Sequence, residues 1–126
     1  MGFDAAREHL LRRPEAVEDF PFGPDVYVYK VAGKMFALLT DDDGAAQMNL
    51  KCDPHEAQFL RDMFDAVQPG YHMNKTHWNT VLLDGSIPRG EVERMIERSY
   101  ALVVRRLRKA ERVALEVRFG KGAIYR

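Results

Sequence analysis

Residues 26–40 read VYVYKVAGKMFALLT, two runs of β-branched and aromatic residues on either side of Ala32-Gly33. Such side chains favour strands, and two runs that are separated by two residues predict a β-hairpin, with strands at 26–31 and 34–40. The run QMNLK at 47–51 alternates polar and apolar residues with the period of a strand that has one buried face. Three short strands in close succession indicate an antiparallel meander.

Helices are predicted before and after this meander in the sequence. The first covers 4–13, before Pro14. A second begins where Asp53 can cap it and Pro54 can take the first helical position, and it runs to Pro69-Gly70. A fourth strand is predicted at 76–84.

A long helix follows the fourth strand, and its apolar residues recur at helical spacing. This stripe consists of Val92, Met95, Ile96, Ser99, Leu102, Val103 and Leu107. Helices with a single apolar stripe cover one face of a sheet, so we predict a two-layer α+β domain with an antiparallel sheet and helices packed on one face.

The orientation of the fourth strand decides what its tryptophan does. Val81 and Leu83 favour a core made of the odd-numbered residues, which would leave Trp78 and Thr80 on the open sheet face. Leu82 argues for the opposite orientation, in which Trp78 would be a core residue.

Two further segments have a less regular pattern. EAVEDFPFGPDV at 15–26 is rich in turn residues, so we expect a connector whose two phenylalanines plug the edge of the core. Near the C-terminus Val113, Leu115, Val117 and Phe119 alternate, which favours a strand over a helix.

Composition limits the possible classes of protein. The chain has 126 residues, enough for one core, with 46% hydrophobic and 30% charged residues, which is typical of a globular domain. The formal net charge is zero, but residues 105–126 hold eight Lys or Arg against two Glu. One cysteine excludes an intrachain disulfide, and the first residues lack the apolar run of a signal peptide, so a cytoplasmic location without a membrane partner is expected.

Four stretches together resemble the bacterial MmcQ/YjbR family. They are FPFGPDVYVYKVAGKMFAL (20–38), NLKCDP (49–54), PGYHMNKTHWNTV (69–81) and SYALVVRRL (99–107). The resemblance implies a CyaY-like fold, also described as a double-wing DNA-binding motif. It implies no catalytic residues. It covers about residues 3–109, so we expect one domain over 1–109 and a basic C-terminal extension over 110–126.

The expected function is therefore non-enzymatic, weak and largely sequence-independent DNA binding through the open sheet face and the hairpins. Lysines and arginines would contact phosphates, amides would face base edges, and aromatic rings would stack. The candidate residues are Lys34, Asn49, Lys51, Tyr71, Asn74, Lys75, Trp78, Arg105, Arg108, Lys109 and Arg112. If the last helix continues, its arginines and lysine would share one face. The alternative is a protein-interaction adaptor that uses the same sheet face.

Other chemistries have weaker signals. Cys52-x2-His55 and His72-x4-His77 have spacings that superficially suggest zinc, but one pair would join a helix and the other a loop. The aspartates at 41–43 lack the spaced ligands of a calcium loop, and we expect a solvated turn there. Cys52 has no assigned orienting partner for nucleophilic catalysis, so we expect no catalytic residue, metal or cofactor.

Overall fold

The computed structural model describes residues 1–42, 44–71 and 73–126. Its elements are α1 (Phe3–Leu11), β1 (Val17–Asp19), β2 (Val26–Val31), β3 (Lys34–Asp42), β4 (Ala45–Lys51), α2 (Pro54–Met63), β5 (Val67–Pro69), β6 (Trp78–Leu82), α3 (Arg89–Arg105), α4 (Lys109–Phe119) and α5 (Lys121–Ile124). Within the described residues, six strands form one antiparallel sheet in the order β1-β2-β3-β4-β6-β5. The predicted two-layer α+β class is confirmed.

The β2–β3 hairpin has the two-residue loop that the sequence predicts. Ala32 and Gly33 both have positive φ, 49° and 77°, as a type I′ turn requires. Farther from the loop the register shifts, because Tyr29 pairs with Ala37 while Lys30 pairs with Met35. This bulge at Phe36 places two consecutive residues, Phe36 and Ala37, in the core, where both are 0% exposed.

Helix α3 packs across the central strands with the predicted stripe. Five of its seven residues are buried within the helix, Leu107 is buried just beyond the helix end, and Leu102 is half-buried. Ser99 supplies a polar contact within this apolar interface. Its hydroxyl accepts from the backbone N–H of Lys51 at 2.8 Å and donates to the carbonyl of Phe36 at 2.6 Å. The bulge in β3 and the end of β4 are therefore both hydrogen-bonded to the helix.

The prediction of a C-terminal strand is wrong, because residues 109–119 form helix α4. Leu115 is 3% exposed and joins the core, whereas Val117 is 81% exposed. The alternating apolar residues therefore do not form the buried face of a strand. The Ala, Leu, Glu, Lys and Arg of this segment are strong helix formers. Ile124 of α5 is also buried in the core cluster. The boundary at residue 109 between a domain and an extension stays a prediction.

The connector and the second helix also differ from expectation. Strand β1 occupies part of the predicted connector, and Phe20 and Phe22 are 42% and 66% exposed instead of plugging the core. Helix α2 begins as predicted, with the Asp53 side chain accepting from the His55 N–H at 3.0 Å. It ends at Met63, and the short strand β5 takes the rest of the predicted helix. Asp43, in the predicted turn, lies outside the described residues.

A partly buried carboxylate network holds β1 against α1 and β2. Glu18 accepts from Arg7 through Nε at 2.9 Å and Nη2 at 3.0 Å, and from the Tyr29 hydroxyl at 2.8 Å. The hydrogen bond from Arg7 is the main cause of the lowered pKa of the Glu18 carboxyl. The ionised form is therefore favoured in the folded protein.

Glu18→Gln should reduce the free energy of unfolding at pH 7 by about 1–2 kcal/mol, because the neutral amide loses a charge-assisted pair but keeps an acceptor for Tyr29. The pKa of Glu18 is lower in the folded than in the unfolded chain, so its contribution is complete above the unfolded value of ~4.3 and is lost as the pH falls through the folded value. Denaturant unfolding of parent and variant from pH 7 to pH 2 should show the difference closing. The matched control is Glu8→Gln, in the exposed Glu8–Arg12 pair; a Glu18→Gln difference that stays constant with pH would contradict the prediction.

Candidate functional site

The sheet face opposite α3, called here the open face, is lined by alternate residues of the central strands. On it Lys51 lies opposite Trp78, and Asn49 lies opposite Thr80. Val81 is buried in the core cluster. Because successive side chains of a strand point to opposite faces, Trp78 and Thr80 point away from the helices. The predicted orientation of this strand is confirmed, and Trp78 is half-buried.

The segment between β5 and β6 returns to the sheet at a place where only glycine fits. A Cβ on Gly70 would lie 2.9 Å from both the Cβ and the carbonyl oxygen of Trp78. Arg61 of α2 then fixes the segment from the helix side. Its Nε donates to Asn79 Oδ1 at 2.7 Å, and its Nη2 donates to the carbonyl oxygens of Trp78, at 3.3 Å, and Lys75.

Several polar side chains of this segment have local hydrogen-bonding roles. Asn74 Oδ1 accepts from the backbone N–H of Thr76 at 2.9 Å and of His77 at 3.3 Å, the pattern of an Asx turn. Thr80 Oγ1 accepts from the backbone N–H of Tyr71 at 2.8 Å. The amides and hydroxyl of this stretch therefore build the turn and its attachment to the sheet, which accounts for part of its unusual composition.

A groove of about 390 Å³ lies on the open face, between the loop before β2 and the loop before β6. Its lining combines apolar and aromatic side chains with amides and a hydroxyl, and we call it the open-face groove: Phe22, Val26, Leu38, Thr40, Gln47, Asn49, Tyr71 and Met73. Tyr71 also lines a neighbouring hollow of about 430 Å³ that includes Lys75 and Gln68. The structure thus brings the candidates Asn49, Tyr71 and Lys75 to one region of the open face.

At the other end of the open face the candidate Lys51, which ends β4, lies near a second cation, Arg106, which follows the C-terminus of α3. The candidate Lys34 is not part of this group, because it lies opposite Val31, a residue of the core cluster, and so points to the helical face. Burial, together with the nearby guanidinium of Arg106, lowers the pKa of Lys51. We call Lys51 and Arg106 the basic end. In the part of the chain that the structure describes, neither of the two has an ion pair.

The remaining candidate cations do not form the single helical ridge that the sequence predicted. Helix α3 ends at Arg105 and α4 starts at Lys109, so the run is split between two helices. Arg105 stacks on Tyr125 at 5.1 Å. Arg108 pairs with Glu111 at 3.3 Å, and Arg112 pairs with Glu116 at 3.0 Å.

The cysteine and histidine alternatives gain no geometric support. Cys52 is buried, and burial is the main cause that raises the pKa of its thiol to about 12, so the thiolate is disfavoured. Among residues 1–42, 44–71 and 73–126, no three His, Cys, Asp or Glu side chains converge as metal ligands would. His72 lies outside the described residues, so the His72/His77 pair is not described.

Comparison with known proteins is consistent with this architecture. The sequence pattern of the YjbR family matches residues 11–102. The chain belongs to the YjbR family. The match ends within α3, so α4 and α5 lie beyond the part that the YjbR pattern describes.

Relatives and solved structures agree with the YjbR assignment. The chain is 34% identical to the uncharacterized protein YbdF of Escherichia coli O157:H7, over 86% of this chain and 88% of that protein. It is 35% identical to the uncharacterized protein YjbR of Escherichia coli K12, over 68% and 73% of the two chains. A crystal structure of a Deinococcus radiodurans protein with a DUF419 domain superposes with a TM-score of 0.82 at 36% identity, covering 89% of this chain and 86% of that one.

Phe22, Arg106 and Arg61 contribute to this site but were not among the candidates predicted from the sequence. Phe22 was expected to plug the edge of the core, but the turn-rich connector that holds it equally suits an exposed loop. Arg106 stood inside a recognised basic run, but the run was treated as one helix. Arg61 carries no sequence signal of its partners, since its contacts lie 14 to 18 residues away along the chain.

In the described part of the chain, no helix is long and apolar enough to cross a membrane.

Arg61→Ala should reduce the free energy of unfolding by about 2–3 kcal/mol, because the Asn79 amide oxygen and two carbonyls lose a charged donor. It should also shift the emission of Trp78, the single tryptophan, to longer wavelength as the β5–β6 segment loosens. Chemical denaturation followed by tryptophan fluorescence measures both effects. Arg12→Ala is the control, since Arg12 forms an exposed ion pair with Glu8 and should change stability by less than ~0.5 kcal/mol. Equal effects of the two variants would contradict the anchoring role of Arg61.

Proposed function

We propose that this YjbR-family chain is a non-enzymatic protein that binds DNA weakly and with little sequence preference, through the basic end and the open face. The observation that carries the proposal is the grouping of Lys51 and Arg106 without an acidic ion-pair partner among the described residues. Two cations close enough for Arg106 to lower the pKa of Lys51 repel each other. A phosphate between them would relieve that repulsion.

An aromatic ring lies beside these cations. Trp78 is the cross-strand neighbour of Lys51 on the open face. Cations that follow a phosphate backbone and an aromatic surface on which bases stack are the two components of sequence-tolerant nucleic-acid binding. Neither component reads base identity, which supports a non-specific interaction.

The ion pairs of the chain suggest that the affinity is weak. Nine Lys or Arg side chains form ion pairs with carboxylates in the described residues, among them the earlier candidates Arg108 and Arg112. The basic end therefore offers few unpaired cations to phosphates, and each phosphate contact contributes separately to the salt-dependent affinity.

A protein partner is the second candidate. The open-face groove is apolar at its flanks, with Phe22 66% and Tyr71 61% exposed, and amides lie between them. Exposed apolar patches with a polar rim are common at protein interfaces. The proposal for DNA is preferred because the groove residues Gln47 and Asn49 and the cation Lys51 lie on the same face of β4.

The test is binding of short fluorescent DNA oligomers of several sequences, by polarisation, at increasing salt. Lys51→Ala/Arg106→Ala should weaken binding about equally for every sequence and should reduce the slope of log K against log salt by about two, because two phosphate contacts are lost. Arg89→Ala/Arg94→Ala is the control, since it removes the same charge from two arginines paired with glutamates in the first turns of α3. Its salt slope should match that of the parent.

Absence of binding by the parent protein at low salt would refute the proposal. So would equal losses in the two double variants, because these would reflect net charge and not the basic end. Thermal unfolding of each variant checks that it is folded.

A further inference from the structure

We infer that the open-face groove is a binding site for the unpaired bases of single-stranded DNA, with Phe22 and Tyr71 as stacking surfaces and the Asn49 amide as a hydrogen-bond donor to base edges. This inference rests on the proposed DNA binding and specifies its ligand. The groove would bind the planar heteroaromatic rings of the bases, whereas the phosphates would bind at the basic end.

The flanks of the groove present two exposed aromatic rings. Phe22 precedes β2, and Tyr71 is attached to β6 through the hydrogen bond from its N–H to Thr80. Strands β3 and β4 lie between β2 and β6, so β2 and β6 are about 14 Å apart, and the groove has Phe22 and Tyr71 in its lining. The rings are 66% and 61% exposed, so both are accessible to a ligand in the groove.

The floor of the groove holds a polar group that lacks a full set of partners. Asn49 is 6% exposed, and its Oδ1 accepts a hydrogen bond from the hydroxyl of Thr80. Its side-chain NH₂ has no hydrogen-bond partner among the described residues, and Asn49 lines the groove. A donor that opens into the groove is available to a ligand, and a base carbonyl or ring nitrogen could accept from it.

The charges around the groove also suit a nucleotide. In the described part of the chain, no carboxylate lines the groove or the neighbouring hollow. Lys75 lines that hollow together with Tyr71, so a phosphate attached to a base stacked on Tyr71 would lie near an ammonium group. Gln47 borders both spaces, and its amide can donate or accept.

The groove and the basic end are connected along one strand. Lys51 and Gln47 are four residues apart on β4, about 13 Å, and both lie on the open face. A single strand could therefore place phosphates at the basic end and bases in the groove. Duplex DNA hides the faces of its bases, so it could use the basic end but not the aromatic rings.

The test compares two single strands of equal length and charge, a short thymidine oligomer and an abasic oligomer, both fluorescently labelled. The parent protein should bind the thymidine oligomer at least ~5-fold more tightly, because stacking on an aromatic ring stabilises each engaged base. Phe22→Ala and Tyr71→Ala should each remove much of this preference and should leave binding of the abasic oligomer unchanged. The control is Phe59→Ala, which removes a ring that is 58% exposed on α2, away from the groove.

The outcomes separate the inference from the proposed function. If both oligomers bind the parent equally and the groove variants change nothing, the groove is not a base site, although DNA binding stands. If neither oligomer binds at low salt, both proposals fail. Loss of affinity for the abasic oligomer in Tyr71→Ala would also overturn the inference, because it would mean that the ring supports the fold of the phosphate site.

Discussion

The hydroxyl of Ser99 is the polar contact on which the arrangement of helix and sheet depends. It lies in an otherwise apolar interface, is 0% exposed, and bonds the backbone of both β3 and β4. Both backbone partners lie where regular strand pairing ends. The carbonyl of Phe36 lies at the bulge in β3, and the N–H of Lys51 belongs to the last residue of β4. Backbone groups left unpaired there would be costly, so the hydrogen bonds fix the long helix α3 at one position on the sheet. With α3 fixed there, the side chain of Lys51 is directed to the opposite face, and the chain that leaves α3 brings Arg106 near it.

Because the helices pack on only one face of the sheet, a chain without net charge can still offer a binding surface on the other face. Many of its charges are used in ion pairs, including the network of Arg7, Glu18 and Tyr29 that holds the edge strand β1. The open face carries a different selection of groups: cations at one end, and aromatic rings and amides along the groove. Its polar residues serve two purposes, because Asn74 and Thr80 build the β5–β6 segment, while the Asn49 amide keeps a donor that has no partner among the described residues. The proposed function depends on this separation of structural and available groups.

The sequence predicted those elements whose pattern is local and strong. The β2–β3 hairpin, the β4 alternation and the α3 stripe each follow from residues that are close in the chain, and all three are present. Strands β1 and β5 have three residues each, too few for a period to show, and they form because neighbouring strands supply partners. Helix α4 was mistaken for a strand because four apolar residues alternate by coincidence.

For the site, the sequence could predict the types of residue but not which of them lie close together in the fold. Asn49, Tyr71 and Lys75 come together, while Arg108 and Arg112 form ion pairs elsewhere. Arg61 and Arg106 act through distant contacts that only the folded chain creates.

The most direct test of this account is to follow backbone amide signals by two-dimensional NMR while a short single-stranded DNA oligomer is added at low salt. The account predicts that the signals that shift belong to the open face and its basic end, with Lys51, Trp78 and Tyr71 among the largest changes, and that the exposed sides of α1 and α2 stay unchanged. The indole N–H of Trp78 should move with them, since it belongs to the single tryptophan. Shifts concentrated on the helical layer, or no shifts at protein concentrations where binding is seen by polarisation, would contradict the claim that the open face is the binding surface.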